Sequence, residues 1–215
     1  MKKNSTDSPE KKGGFWNELF KFGPSRQEIW QQLSKEIDAK YVDGGFWETS
    51  KVQLTYGTWT ITFDLLFVGK SRIPHTRFRA PYVNNDGFRF NIYRAGFFSR
   101  LGVKLGMQDV QIGDEQFDND FIVQGTNETK LREFLSSKRL RELIAMQPNI
   151  EFSVRDSEGW FGPPFPDNVD ELIFLSLYEV RDIAKLKTLF ELFMEALEQL
   201  YKIGSAYKQD PRVTL

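Results

Sequence analysis

The sequence predicts an α+β fold: an antiparallel β-sheet of hairpins, a helix-helix insertion and a long C-terminal amphipathic helix packed on the sheet. Three observations predict it. Residues 52–56 and 59–63 alternate apolar and polar around a turn signal, as strands with one buried face do. Residues 78–82 and 88–92 repeat that pattern around a second turn. Near the end of the chain Ile183, Leu186, Phe190, Phe193, Leu197, Leu200 and Tyr201 recur at helical spacing. A PH-like sandwich with its terminal helix is the alternative architecture.

The elements follow in order. Residues 1–24 read as a flexible tail, because MKKNSTDSPEKKGG is too polar to bury enough surface to stay ordered. Within that tail Phe15, Trp16, Leu19, Phe20 and Phe22 form an aromatic strap, which reads as docking on its own domain or as an anchor for a partner. A single domain over 25–207 then begins at Ser25, where Ser25 and Glu28 make a capping box. Ile29, Trp30, Leu33 and Ile37 continue that helix to about Lys40. Gly57-Thr58 suits a two-residue type II′ turn and pairs Tyr56 with Trp59, Leu54 with Ile61 and Val52 with Phe63. The second hairpin, with a loop at Asn85 to Gly87, pairs Tyr82 with Phe90 and Ala80 with Ile92. Pro81 cannot donate to a ladder and predicts an edge or a bulge. The stretch from Leu101 to Asp120 reads as a loop or short extended pieces, and Phe121 to Val123 as a strand. Thr126 or Asn127 caps one helix, Ser136-Ser137 starts another, and 150–154 and 171–178 read as strands. Asp182 opens the long helix, Gly204 stops it, and 208–215 read as frayed.

Composition bounds the function. The chain has 215 residues, a net charge of −1, 20 Phe and no Cys. Disulfides, thiolate chemistry and Cys-based zinc sites are excluded, and no cofactor is predicted. No apolar run reaches the length of a spanning helix or a signal peptide, so the expectation is a cytoplasmic protein, at most peripheral to a membrane. The aromatic content predicts a ring-filled core.

Three stretches carry candidate chemistry. Residues 70–104 hold eight basic side chains against one acid, and the predicted pairing puts Arg77, Arg79, Arg89 and Tyr93 on one outer face. Such a face fits an anionic lipid or nucleic acid, or is neutralised within the fold. Asp109, Asp114, Asp118 and Asp120 lie in a stretch without Lys or Arg, which suits a hard cation, although no EF-hand spacing is present. Trp160 and Phe161 sit in the loop WFGPPFPDN, where exposed rings make a partner contact. His75, the only histidine, follows Pro74 at a strand start and reads as structural.

The residues Ile112, Gly113, Asp114, Phe117, Asp118, Phe121 and Val123 spell an IGD..FD..F.V phrase, followed by a polar turn and two short helices. Over about residues 106–145 this is similar to a family of uncharacterised bacterial proteins. The resemblance implies a bacterial origin and a domain with no established activity. The same apolar residues also read as anchors where a strand and a helix meet.

Together these observations predict a non-catalytic binding or scaffold module. Its partner is a protein, through Phe15, Trp16, Phe20, Trp160 and Phe161, or an anionic surface, through the arginine face. A metal-assisted hydrolase using Asp109, Asp114, Asp118 and Asp120 is the alternative.

Overall fold

The computed structural model describes residues 23–45, 49–68, 72–95, 107–156, 165–213 and 215. The first helix, α1 (Arg26–Glu36), is capped as its sequence requires. Ser25 Oγ accepts from the Glu28 amide at 3.2 Å, and Glu28 Oε2 accepts from the Ser25 amide at 2.7 Å. The helix ends earlier than its apolar stripe suggests. Asp38 takes a left-handed φ of +54°, which turns the chain into a short strand, β1 (Lys40–Val42).

The first hairpin forms in the expected register. β2 (Lys51–Tyr56) and β3 (Trp59–Val68) pair Tyr56 with Trp59, Leu54 with Ile61 and Val52 with Phe63. Gly57 has φ +62°, the conformation the turn demands of its first residue.

The second hairpin does not form. β4 (Ile73–Val83) pairs with β3 on one side and with β9 (Val169–Leu175) on the other. β5 (Phe90–Arg94) lies elsewhere, between β7 (Phe121–Gly125) and β8 (Glu151–Arg155). The turn residues are real but serve a different path. The Asn84 side chain donates to the Phe88 carbonyl at 3.0 Å and to Asp170 Oδ2 at 2.6 Å, while Asp86 Oδ1 accepts from the Phe88 amide at 2.8 Å. These bonds lead the chain past the ends of β9 and β8, so that it reverses three strands over instead of folding back beside β4. In exchange β4 gains apolar partners, Phe78 opposite Phe174 and Ala80 opposite Leu172.

Pro81 is therefore in an interior strand rather than at a sheet edge. Its missing N–H is tolerated because the β3–β4 ladder ends at Thr62↔Arg79, so β4 is a local edge at Pro81.

The rest of the chain supplies β6 (Gln108–Asp109), α2 (Glu115–Asp120), α3 (Glu128–Phe134), α4 (Lys138–Ala145) and α5 (Ile183–Lys202). α2 replaces part of the loop expected over residues 101–120. Asp114 caps it by accepting from the Phe117 amide. Asn127, Ser137 and Asp182 cap α3, α4 and α5. The strands make one open sheet in the order β1-β2-β3-β4-β9-β8-β5-β7-β6, with every pairing antiparallel. A second sheet is absent among the described residues, so the PH-like sandwich is not the architecture.

Alternation sends one set of side chains toward the helices. Phe78 packs on Phe63 at 4.9 Å between ring centroids and on Phe190 of α5 at 4.9 Å. Trp30 of α1 meets Phe63 at 4.5 Å, and Phe134 of α3 meets Phe90 at 4.8 Å. Buried phenylalanines among the described residues thus form a continuous core between sheet and helices. No described helix is long and apolar enough to cross a membrane.

Candidate functional site

The sheet face turned away from Phe190 is polar, and its charges are matched within the fold. Asp64 on β3 accepts from Arg77 Nε and Nη2, both at 2.7 Å, and from Arg79 Nη2 at 3.0 Å. Arg79 Nε lies 3.8 Å from Glu171 Oε1 on the next strand. Register places Arg155 opposite Glu171, and Arg155 Nη2 donates to Glu151 at 2.6 Å. Acids and bases so alternate across β3, β4, β9 and β8. Asp64 is 3% exposed, Arg79 6% and Glu171 1%, so these are buried ion pairs rather than a solvated arginine surface.

Arg89 and Tyr93 do not join Arg77 and Arg79. Because β9 and β8 separate β4 from β5, Tyr93 stands two strands away from its expected place opposite Arg79. Tyr93 is half-buried, and burial followed by the charge of Asp109 raises its phenol pKa. Arg89 sits beyond the end of β4. It donates to Asp170 from Nε at 3.2 Å and Nη2 at 3.1 Å, and to Asp156 from Nη1 at 2.7 Å. A cleft of about 610 Å³ opens there, lined in part by Asn84, Arg89, Asp156, Phe165, Asn168 and Asp170. Burial pushes the Asp170 carboxyl up, against the pull of its bonds from Arg89 and Asn84. The neighbouring Tyr82 hydroxyl is buried without a hydrogen-bond partner, and burial, then the charges of Asp170 and Asp86, push its pKa well up.

The aspartates of the acidic stretch are occupied one by one. Asp114 caps α2 and accepts from Arg141 Nε at 3.1 Å. Asp118 accepts from the Ile112 and Gly113 amides, each at 2.9 Å, and Gly113 allows that fold-back with φ +86°. Asp109 accepts from Gln124 at 2.8 Å, and Asp120 lies 3.8 Å from Arg94. No group of three metal-ligating side chains forms among the described residues. The IGD..FD..F.V phrase has a local structural reading: two aspartates order a loop-helix-strand turn, and Phe117 packs on Phe121 at 4.7 Å. His75 Nδ1 lies 3.0 Å from the Ser176 carbonyl oxygen, a backbone contact.

No protein-family model matches the sequence, and no curated protein does. Among solved structures the chain is similar to the mycobacterial trehalose monomycolate transport factor A. Identity is 10%, the TM-score is 0.48, and the match covers 80% of this chain and 92% of that one.

A surface that sequence reasoning missed lies at the other end of β4, about 30 Å from the Arg89 cleft along an eleven-residue strand. There Phe67 is 42% exposed, Ile73 52%, Leu177 49% and Tyr178 38%. They are four of seven large apolar side chains that are exposed among the described residues, so the exposure is concentrated rather than scattered. Backbone geometry brings all four to the same end of the sheet but on both of its faces: Phe67 alternates with Phe63 and Leu65 on the helix face, and Ile73 alternates with Arg77 and Arg79 on the opposite face. Phe67 pairs with Pro74, and Ile73 closes the β3–β4 ladder opposite Val68. Past the end of β9 the Ser176 amide donates to the Thr76 carbonyl at 2.9 Å, and the Thr76 amide to the Tyr178 carbonyl at 3.1 Å. Those two bonds hold Leu177 and Tyr178 beside the start of β4.

Beside Phe67 is a hollow of about 280 Å³ lined by Arg26, Trp30, Thr49, Ser50, Leu65 and Phe67. Arg26 donates from there to Glu179 at 2.8 and 3.0 Å. The other expected contact residues, Phe15, Trp16, Phe20, Trp160 and Phe161, lie outside the described residues.

Proposed function

We propose that this chain is a non-catalytic binding module of the bacterial cytoplasm, and that its partner is a protein. Its contact surface is the end of the sheet bearing Phe67, Ile73, Leu177 and Tyr178. The observation that carries this is the concentration of exposed apolar side chains at that end. Clustered apolar groups that stay in water cost free energy until another surface covers them. A protein fits better than a phosphate-bearing ligand. Arg77, Arg79 and Arg89 already have carboxylate partners inside the fold, and an anion would have to displace them. The cysteine-free sequence is in keeping with a reducing compartment.

The test is site-specific photo-crosslinking in the cells of origin. A photoreactive side chain at Ile73 should give a discrete adduct of higher mass, and one at Tyr201 should not. Adding Phe67→Asp and Leu177→Asp should remove the adduct. Failure to form any adduct specific to position 73 overturns the proposal.

A further inference from the structure

We infer that residues 15–22 of the chain itself are the resident occupant of the helix-face side of this surface, the hollow beside Phe67, so that a partner must displace them to cover Phe67. The inference rests on the preceding reading only for where the surface is. Two observations support it independently. The described chain begins at Gly23, and three residues later Arg26 both lines the hollow beside Phe67 and bonds Glu179, the neighbour of Tyr178. The chain therefore enters the structure at the rim of the hollow beside Phe67. The segment that leads up to this point, FWNELFKF, carries Phe15, Trp16, Leu19, Phe20 and Phe22 within eight residues.

Eight residues cannot enclose five large apolar side chains by themselves, so their burial needs a pre-existing surface. Reach is sufficient. Extended, eight residues span up to about 28 Å, and Phe22 is one residue from Gly23. Tethering then decides between the chain's own segment and a free partner. A short flexible link gives an effective concentration on the order of millimolar. A partner at about 1 µM must therefore bind roughly a thousandfold more tightly than the segment does to take its place. The tail is thereby a threshold on the module: weak partners are excluded and strong ones admitted.

The absence of cysteine makes the test clean, because one introduced cysteine takes one nitroxide label. In the full-length Thr49→Cys protein, labelled at the hollow, the amides of residues 15–22 should lose most of their NMR intensity through paramagnetic relaxation. Adding Phe15→Ser and Phe20→Ser should restore at least half of it while the remaining spectrum stays folded. Unaffected amides overturn the inference. So does broadening that survives the two serines, which marks a tail that is near but undocked. Broadening transferred from labelled to unlabelled molecules in a mixture also overturns it, by assigning the surface to a second copy. Crosslinking at Ile73 separates this from the function above. An adduct with a silent label sinks only the tail's role. A docked tail without any adduct leaves this inference standing and sinks the binding module.

Discussion

Asp64 receives three charged N–H groups on a buried face, and its removal leaves two guanidinium groups without the carboxylate they share. Charges stripped of water tolerate this poorly. Asp64→Ala should destabilise the fold by about 3–5 kcal/mol in urea unfolding, with an unchanged m-value. Glu179 makes a milder, pH-dependent case. Hydrogen bonds from Arg26, opposed by burial and aided by the charges of Arg26 and Arg181, hold its carboxyl below the ordinary carboxylate value. Its folded pKa is thus below its unfolded pKa. The stability it contributes is complete above about pH 4.3 and is lost as pH falls through the folded value. Arg26 is 40% exposed at its side chain, so solvent limits the effect to under about 1 kcal/mol. Glu179→Gln should lose that amount at pH 7, and the gap to the unsubstituted protein should close in acid. A gap that stays constant down to pH 2 would refute the assignment.

Among the elements, β7 and α3 meet at Gly125. A Cβ built there would stand 2.7 Å from Leu131 Cδ2, and Leu131 is fully buried. Gly125→Ala should cost about 1–3 kcal/mol by calorimetry, and Leu131→Ala in the same chain should relieve part of the clash while opening its own cavity. The elements also show which signals are local. The β2–β3 hairpin was legible because its turn residue and its cross-strand pairs lie within a dozen positions of each other. The caps at Ser25, Asn127, Ser137 and Asp182 were legible for the same reason, since a cap acts over three residues. β4 and β9 were found as strands, but their pairing was not, because nothing near Phe78 announces Phe174. The turn at Asn84 to Gly87 misled because Asn and Gly signal a change of direction and not its destination. Leu177 and Tyr178 read as the end of a buried strand, and only the structure ends that strand at Leu175 and leaves both rings and methyls in water.

Across the whole molecule, the sheet keeps its chemistry on three distinct surfaces. One face holds the aromatic core, the other carries a row of matched charges, and one end exposes apolar side chains. Three arginines of the basic stretch find their counter-charges outside it: Arg77 and Arg79 at Asp64, Arg79 also near Glu171, and Arg89 at Asp170. The strand order has a consequence for how the protein is made. β9 is the fifth of nine strands in space and the last in sequence. Until residues 169–175 leave the ribosome, β4 and β8 each present a bare edge, and two half-sheets wait for the strand that joins them. Translation halted short of that point would not trim the rim of the protein. It would release molecules whose two open edges each lack the same missing strand, and such edges readily accept a strand from another nascent chain.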